Sequence, residues 1–160
     1  MATNQQSFEI ALKKGEAGEQ IIRDYLEQRG WIVYFPFTKN RAHYFDMLAT
    51  KNKEKVIALD IKTKARLNKW AAQGINKKSY DEYMKFAEST NVPFYIVFID
   101  DKLGDVHAQD IKRLTNPIRV NDKILAWRLS DMIFLFNIGA DNIRKLSKYD
   151  QRKYDFNPTL

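Results

Sequence analysis

The 160-residue chain has no cysteine, only two histidines, four prolines and six glycines, and no long apolar run. Each shortage removes a class of function. Without cysteine there is no disulfide framework, thiolate zinc site, iron–sulfur cluster or cysteine nucleophile. Two histidines without cysteine do not make a dedicated zinc site. No segment approaches the roughly 18 apolar residues of a membrane helix. Met1 to Ser7 is polar and unlike a signal peptide, so the expected address is cytoplasmic and no membrane partner is expected. No G-x-x-x-x-G-K-[ST] loop is present, so ATP-driven work is not indicated. The prolines and glycines are scattered, and no linker or repeat is visible.

Apolar residues make up 44% and charged residues 29%, the mixture of an ordinary folded chain. The length suits a single domain over residues 1–160, with a core over about 8–137 and a C-terminal helix or tail over 138–160. The net charge is +7, and its location says more than its sum. Between Lys51 and Lys78 lie nine bases and two acids, Glu54 and Asp60. That segment alone carries the whole excess, and the remainder is neutral. A positive field confined to one segment points to a polyanionic partner, or to a solvated lysine-rich turn.

Along the chain, residues 8–29 read as a helix. Phe8, Ala11, Leu12, Gly15, Ile22 and Leu26 share one stripe, and Gly30 supplies the stop. Trp31 to Phe35 is strand-like and ends at Pro36. A polar loop over 37–45 follows, then a short strand Asp46–Thr50, a turn over 51–54 and a second strand Val56–Thr63. Residues 65–76 look irregular. A second helix spans about 77–89, with Tyr80, Tyr83, Met84 and Ala87 on one face and a capping box Ser79-x-x-Glu82. Phe94–Ile99 is apolar throughout, as a strand buried on both faces is. Strands follow at 105–109, 124–129 and 132–137, and a helical tail at 141–153. The order describes a mixed α/β domain with one sheet between helices.

The chemistry concentrates in the strand Val56–Thr63. Side chains alternate faces, so Ile57, Leu59 and Ile61 enter one core while Val56, Ala58, Asp60 and Lys62 share the other face. A carboxylate and an ammonium thus stand side by side at the end of an apolar strand. Alone, that is equally an ordinary strand-end ion pair. Asp46 strengthens it: with a tight turn at Asn52 pairing the two strands, Asp46 falls near the level of Asp60. Glu19 lies on the first helix's apolar stripe, where it is either paired, bound to a cation, or at the stripe's edge and reaching water. Gly15 and Gly18 would let the backbone there approach the sheet. Oxygen-only donors suit Mg²⁺, which is held by one or two carboxylates plus substrate phosphate. Such an ion acidifies a bound water and stabilises charge developing on phosphorus, and a nearby lysine holds phosphate as a point charge. The chemistry that fits is hydrolysis of a phosphodiester.

At these residues the chain resembles a known family. Phe45-Asp46, thirteen residues, then Asp60-Ile61-Lys62 is similar to the motif of the PD-(D/E)XK nucleases. Lys14-Gly15-Glu16-Ala17-Gly18-Glu19, leading into Gly30-Trp31-Ile32-Val33, resembles the opening of archaeal-type Holliday junction resolvases in that superfamily. Gln73-Gly74-Ile75-Asn76 followed by Tyr80-Asp81-Glu82-Tyr83 resembles the Gln/Tyr element of some branches. The resemblance covers residues 14–99. It implies a restriction-endonuclease-like α/β fold, a mixed central sheet flanked by helices, with extra C-terminal strands and a helix. It further implies Glu19, Asp46 and Asp60 as metal carboxylates and Lys62 as the catalytic lysine. The Ile61 carbonyl would complete the metal shell, and Gln73 would support the site. Phe45 stands where the motif has proline, and Asp60 where glutamate is more usual.

The resulting expectation is a Mg²⁺-dependent DNA nuclease, with Mn²⁺ as a substitute metal, acting as an endonuclease on branched or damaged DNA in recombination, repair or phage replication. The alternative is a non-catalytic nucleic-acid-binding module on the same fold. Lys64, Arg66, Lys69, Lys77 and Lys78 are the expected phosphate contacts, and Trp70 either stacks on a base or covers an irregular segment. DNA is the expected partner, with a homodimer left open. His43 reads as a loop histidine near the site, His107 as a structural strand residue, and Asp100-Asp101 as a turn.

Overall fold

The computed structural model describes residues 4–36, 43–67 and 69–150. The elements, in order, are α1 (Asn4–Glu27), β1 (Ile32–Tyr34), β2 (Met47–Lys51), β3 (Lys55–Thr63), β4 (Ala72–Asn76), α2 (Lys77–Thr90), β5 (Phe94–Ile99), β6 (Asp105–Asp110), β7 (Ile118–Arg119), β8 (Ile124–Arg128), β9 (Ile133–Asn137) and α3 (Gly139–Ser147). Six strands form one mixed sheet in the order β1-β2-β3-β5-β6-β9; β4, β8 and β7 form a second, smaller sheet. Only β3 and β5 pair in parallel within the large sheet. Their connection carries β4 and α2, which is the long crossover that a parallel pair requires.

Alternation along the central strands sorts the core into two layers. Leu59, Ile61, Val97 and Ile99 face α1 and α3, where they meet Ile22, Leu26 and Leu146. Ala58, Phe94, Ile96 and Phe98 face α2 and the small sheet, where they meet Tyr83, Ala87, Ile75 and Trp127. The mixed sheet flanked by helices is the fold class the sequence predicts. The β2–β3 hairpin turns through Asn52 and Lys53, both at positive φ (57° and 58°). That backbone suits the twist of a tight hairpin. The resulting register sets Met47 opposite Leu59.

Several expectations need correction. The helix starts at Asn4 and ends at Glu27, with Gly30 at φ +80° in the stop it was expected to supply. Its stripe is buried only from Gly18 onward, at Gly18, Ile22 and Leu26, whereas Phe8 is 69% and Leu12 53% exposed. Gly18 lies against Thr63, the last residue of β3, so the turns before it have no strand beneath them. Residues 65–76 are not all irregular, because 72–76 form β4 and pair with β8. A Cβ at Gly74 would lie 2.8 Å from the Leu125 carbonyl oxygen, so the close pairing of these strands needs a glycine there. There are two sheets rather than one, and the two-residue β7 escapes any periodicity argument. The cap of α2 is Asn76, whose side chain accepts from the Lys78 N–H at 3.0 Å, rather than Ser79. Residues 37–42 of the expected loop and 151–153 of the expected tail lie outside the described residues.

Candidate active site

Asp60 and Lys62 emerge from β3 on the face covered by α2. Asp60 is 5% exposed, and its Oδ2 lies 2.8 Å from Lys62 Nζ. The geometry is that of an ion pair without a well-aligned hydrogen bond, and Asp60 Oδ2 has no hydrogen-bond partner among the described residues. Asp46 immediately precedes β2. Its N–H donates to the Leu59 carbonyl at 2.9 Å, and its Oδ2 accepts from the Ile61 N–H at 2.6 Å. The hairpin register therefore brings the Asp46 carboxylate across to the level of residues 60 and 61.

Glu19 of α1 lies close enough to this group for their charges to act on one another. It is half-buried, and its carboxyl is held above the ordinary range by burial, then by the charges of Glu16 and Asp60, with Lys62 opposing. Asp46 is pushed up to about 7 by burial and by Asp60 and Glu19, against the Ile61 hydrogen bond and Lys62. Burial depresses the Lys62 ammonium, but Asp60 and Tyr83 beside it reverse the effect, so Lys62 ends above its usual value and stays charged at neutral pH. The mutual effects place Glu19, Asp46, Asp60 and Lys62 in one electrostatic neighbourhood. Among the described residues, however, no three Asp, Glu or His side chains already converge as a cation cage. Asp46 is turned to the Ile61 N–H, and Asp60 to Lys62. The donor set still fits a hard cation. All its members are oxygens, and the Asp60 oxygen that lacks an aligned hydrogen bond already has the Lys62 ammonium 2.8 Å away, so a bound ion would share that carboxylate with Lys62.

The other predicted residues divide into two groups. Gln73 on β4 is 1% exposed and donates from Nε2 to the Lys64 carbonyl at 3.2 Å, so it touches the backbone at the end of β3 rather than the carboxylates. Lys64 and Arg66 are engaged internally. The Lys64 ammonium donates to the Gly74 carbonyl, and burial followed by Lys62 lowers it to about 8. Arg66 binds Asp100 at 2.5 Å and Asp105 at 2.8 Å. Lys69 is exposed and lies over the Trp70 ring, 4.8 Å from its centroid. Lys77 and Lys78 are exposed in the first turn of α2, beside Lys85 and Lys123 in an open cleft. His43 is exposed three residues before Asp46. His107 meets Phe134 edge to face, with centroids 5.5 Å apart.

Sequence reasoning missed two features. Tyr83, read as a core residue of α2 and as part of the Gln/Tyr element but given no role, has Lys62 Nζ 5.8 Å from its ring centroid, and its hydroxyl is pushed up to about 12, chiefly by burial and by Asp60. Asp100 and Asp101 do form a turn, with Asp100 Oδ1 accepting from the N–H groups of Lys102 and Leu103. They are also buried ion partners, Asp100 of Arg66 and Asp101 of Lys14. A buried Asp-Asp pair after an apolar strand was the available signal. The Lys14-to-Glu19 motif thus has a structural reading: Lys14 and Gly18 dock α1 onto the strand ends, while a Cβ at Gly15 would meet open space.

No family model and no curated protein matches the chain. Among solved structures, Hjc from Archaeoglobus fulgidus, a Holliday junction resolvase from an archaeal hyperthermophile, matches with a TM-score of 0.55 at 13% identity. The match covers 73% of this chain and 90% of that one. A bacterial homing endonuclease, I-Ssp6803I, matches with a TM-score of 0.46 at 10% identity, over 97% of this chain and 99% of that one. At such identity the likeness to the resolvase is one of fold, and that fold is the restriction-endonuclease-like one expected from the sequence.

Proposed function

We propose that this protein is a metal-dependent DNA endonuclease that hydrolyses phosphodiester bonds, with Mg²⁺ as its ion and Mn²⁺ as a substitute. The observation that carries this reading is the β2–β3 hairpin, which sets the Asp46 carboxylate on the Ile61 N–H and the Asp60–Lys62 pair beside it. Asp46, Asp60, the Ile61 carbonyl and Glu19 are the groups that would hold the ion. When bound, the ion supplies positive charge for the phosphorane-like transition state and for ionising the attacking water. Lys62 remains an ammonium, so its part is to hold a phosphate oxygen rather than to accept a proton. Tyr83 orients it from α2. Gln73 steadies the exit of β3 through the Lys64 carbonyl.

Branched or damaged DNA, as met in recombination, repair or phage replication, is the proposed substrate class. The Asp60–Lys62 pairing gives some support to the second reading, a binding module that does not cut. One assay decides. Linear, nicked and four-way-junction DNA are incubated with Mg²⁺, Mn²⁺ or EDTA. The nuclease reading expects cleavage with either metal and none in EDTA, with the junction cut best. Binding without cleavage under every metal condition establishes the second reading instead.

A further inference from the structure

The sheet face that carries Lys62 continues across three more strands. Pairing sets Lys62 beside Phe98, Phe98 beside His107, and His107 beside Phe134. At an interstrand spacing of about 4.8 Å, the backbones of His107 and Phe134 lie roughly 10 and 15 Å from that of Lys62 along this row. The row ends in a cavity of about 500 Å³ whose lining includes Arg66, Trp70, His107, Arg128 and Phe134. None of these five belongs to the carboxylate–lysine group.

The lining combines aromatic rings with two arginines and the Asp105 carboxylate that pairs with Arg66. Phe134 lies on the edge strand β9 and is 55% exposed, a large aromatic surface left to solvent. Trp70 sits in a tight turn closed by the Leu67 N–H donating to the Ala72 carbonyl at 2.8 Å. Ala71, the next residue, adopts φ 44°, a left-handed backbone that an alanine keeps only where its surroundings enforce it. The enforcing contact is visible: the Ala71 carbonyl accepts from the Leu129 N–H at 2.9 Å, pinning the turn to the chain just after Arg128. Arg66 is neutralised by Asp100 and Asp105, whereas Arg128 is exposed at the rim. In a duplex the base faces are stacked and only edges are on offer. A ring-lined cavity takes a base only when that base is unstacked, with an adjacent guanidinium suited to its phosphate.

We propose that this cavity is a subsite for an unpaired nucleotide, with its base against Trp70 and Phe134 and its phosphate at Arg128. Measured from backbone to backbone along this row the subsite lies roughly 10–15 Å from Lys62, with Phe98, 1% exposed, between them, so a strand joining the two would pass around the row rather than over it. Such a joining strand rests on the nuclease reading; binding of the nucleotide does not. The subsite directs the protein to DNA with a bulge, flap or junction close to the cut.

The test is fluorescence anisotropy in EDTA, comparing a fully paired duplex with the same duplex carrying one unpaired 2-aminopurine nucleotide. Wild-type protein binds the bulged duplex at least about fivefold more tightly, the lower end of what one base–aromatic stack contributes. Phe134→Leu and Trp70→Leu keep apolar bulk, remove the ring face and bring the ratio close to one; Trp70→Phe restores it. A wild-type ratio near one overturns the proposal, as does a preference that survives both leucine variants. The same DNAs with Mg²⁺ separate the two claims. Preference in EDTA without cleavage in Mg²⁺ removes the nuclease reading and leaves the subsite standing. Cleavage with a ratio of one does the reverse.

Discussion

Gly18 of α1 rests against Thr63 at the end of β3 so closely that a Cβ would stand 1.9 Å from Thr63 Oγ1 and 3.3 Å from Ile99 Cδ1. The next residue, Glu19, is a helical carboxylate that feels Asp60 and Lys62. The closeness of helix and sheet is therefore what lets a helix residue take part in a sheet-borne site. Gly18→Ala must push the helix away or displace Thr63. The expected outcome is a lower melting temperature, by the overpacking cost of about 1–3 kcal/mol, together with loss of cleavage. Wild-type stability and activity in Gly18→Ala would contradict this packing.

Glu19→Gln keeps the shape and removes the charge. The Glu19 carboxyl is raised in the folded chain, so the folded state binds more protons than the unfolded one above the ordinary carboxyl range, and stability falls as pH rises through that window. At neutral pH in EDTA the Gln variant should unfold at a higher urea concentration than wild type. In Mg²⁺ it should cut about ten- to a hundredfold more slowly, the usual cost of losing a group that supports a metal site. Urea melts and initial rates on one preparation check both signs.

Lys64 gives a pH signature of the opposite sign. Its folded value of about 8 lies below the roughly 10.4 of an unfolded lysine. Between these values the unfolded chain holds a proton that the folded chain has released. Stability therefore rises with pH across that window. Lys64→Met should remove the rise, visible as a flatter difference in urea midpoint between pH 8 and 10. An identical pH dependence in the two proteins would mean that Lys64 stays charged.

The salt dependence of DNA binding should come from the outward-facing bases. Reversing Lys69, Lys77 and Lys78 to Glu should flatten the slope of log K against log[salt] by up to about 0.9 for each lost phosphate contact. Arg66→Ala acts differently. It leaves Asp100, 2% exposed, without its cation, so its main effect is a lower melting temperature rather than a changed slope. An unchanged slope in the triple variant would place DNA elsewhere on the surface.

What could be read from the sequence was what local pattern controls. Alternation along β3 put Asp60 and Lys62 on one face, and a short turn at Asn52 brought Asp46 level with them. What could not be read depended on partners distant along the chain. The strand β4, with a glycine and two polar amides in five residues, is a strand because β8, some fifty residues later, pairs with it. The periodicity of α1 marked Phe8 and Leu12 as core, but no helical pattern records where the sheet beneath it ends. Lys64 and Arg66 looked like phosphate ligands because Gly74, Asp100 and Asp105, which hold them, are ten to thirty-nine residues away or more simply read as turn and strand.

The most direct test of the account is the initial cleavage rate of an end-labelled four-way junction in Mg²⁺, for wild type, Asp60→Ala and Lys62→Ala, with EDTA as control. The account predicts cleavage by wild type, none in EDTA, and a loss of at least about a hundredfold in each variant, the scale for removing a preorganised charge from a reacting site. Circular dichroism should show all three proteins folded. Wild-type cutting in EDTA, or undiminished cutting by folded Asp60→Ala or Lys62→Ala, would contradict it.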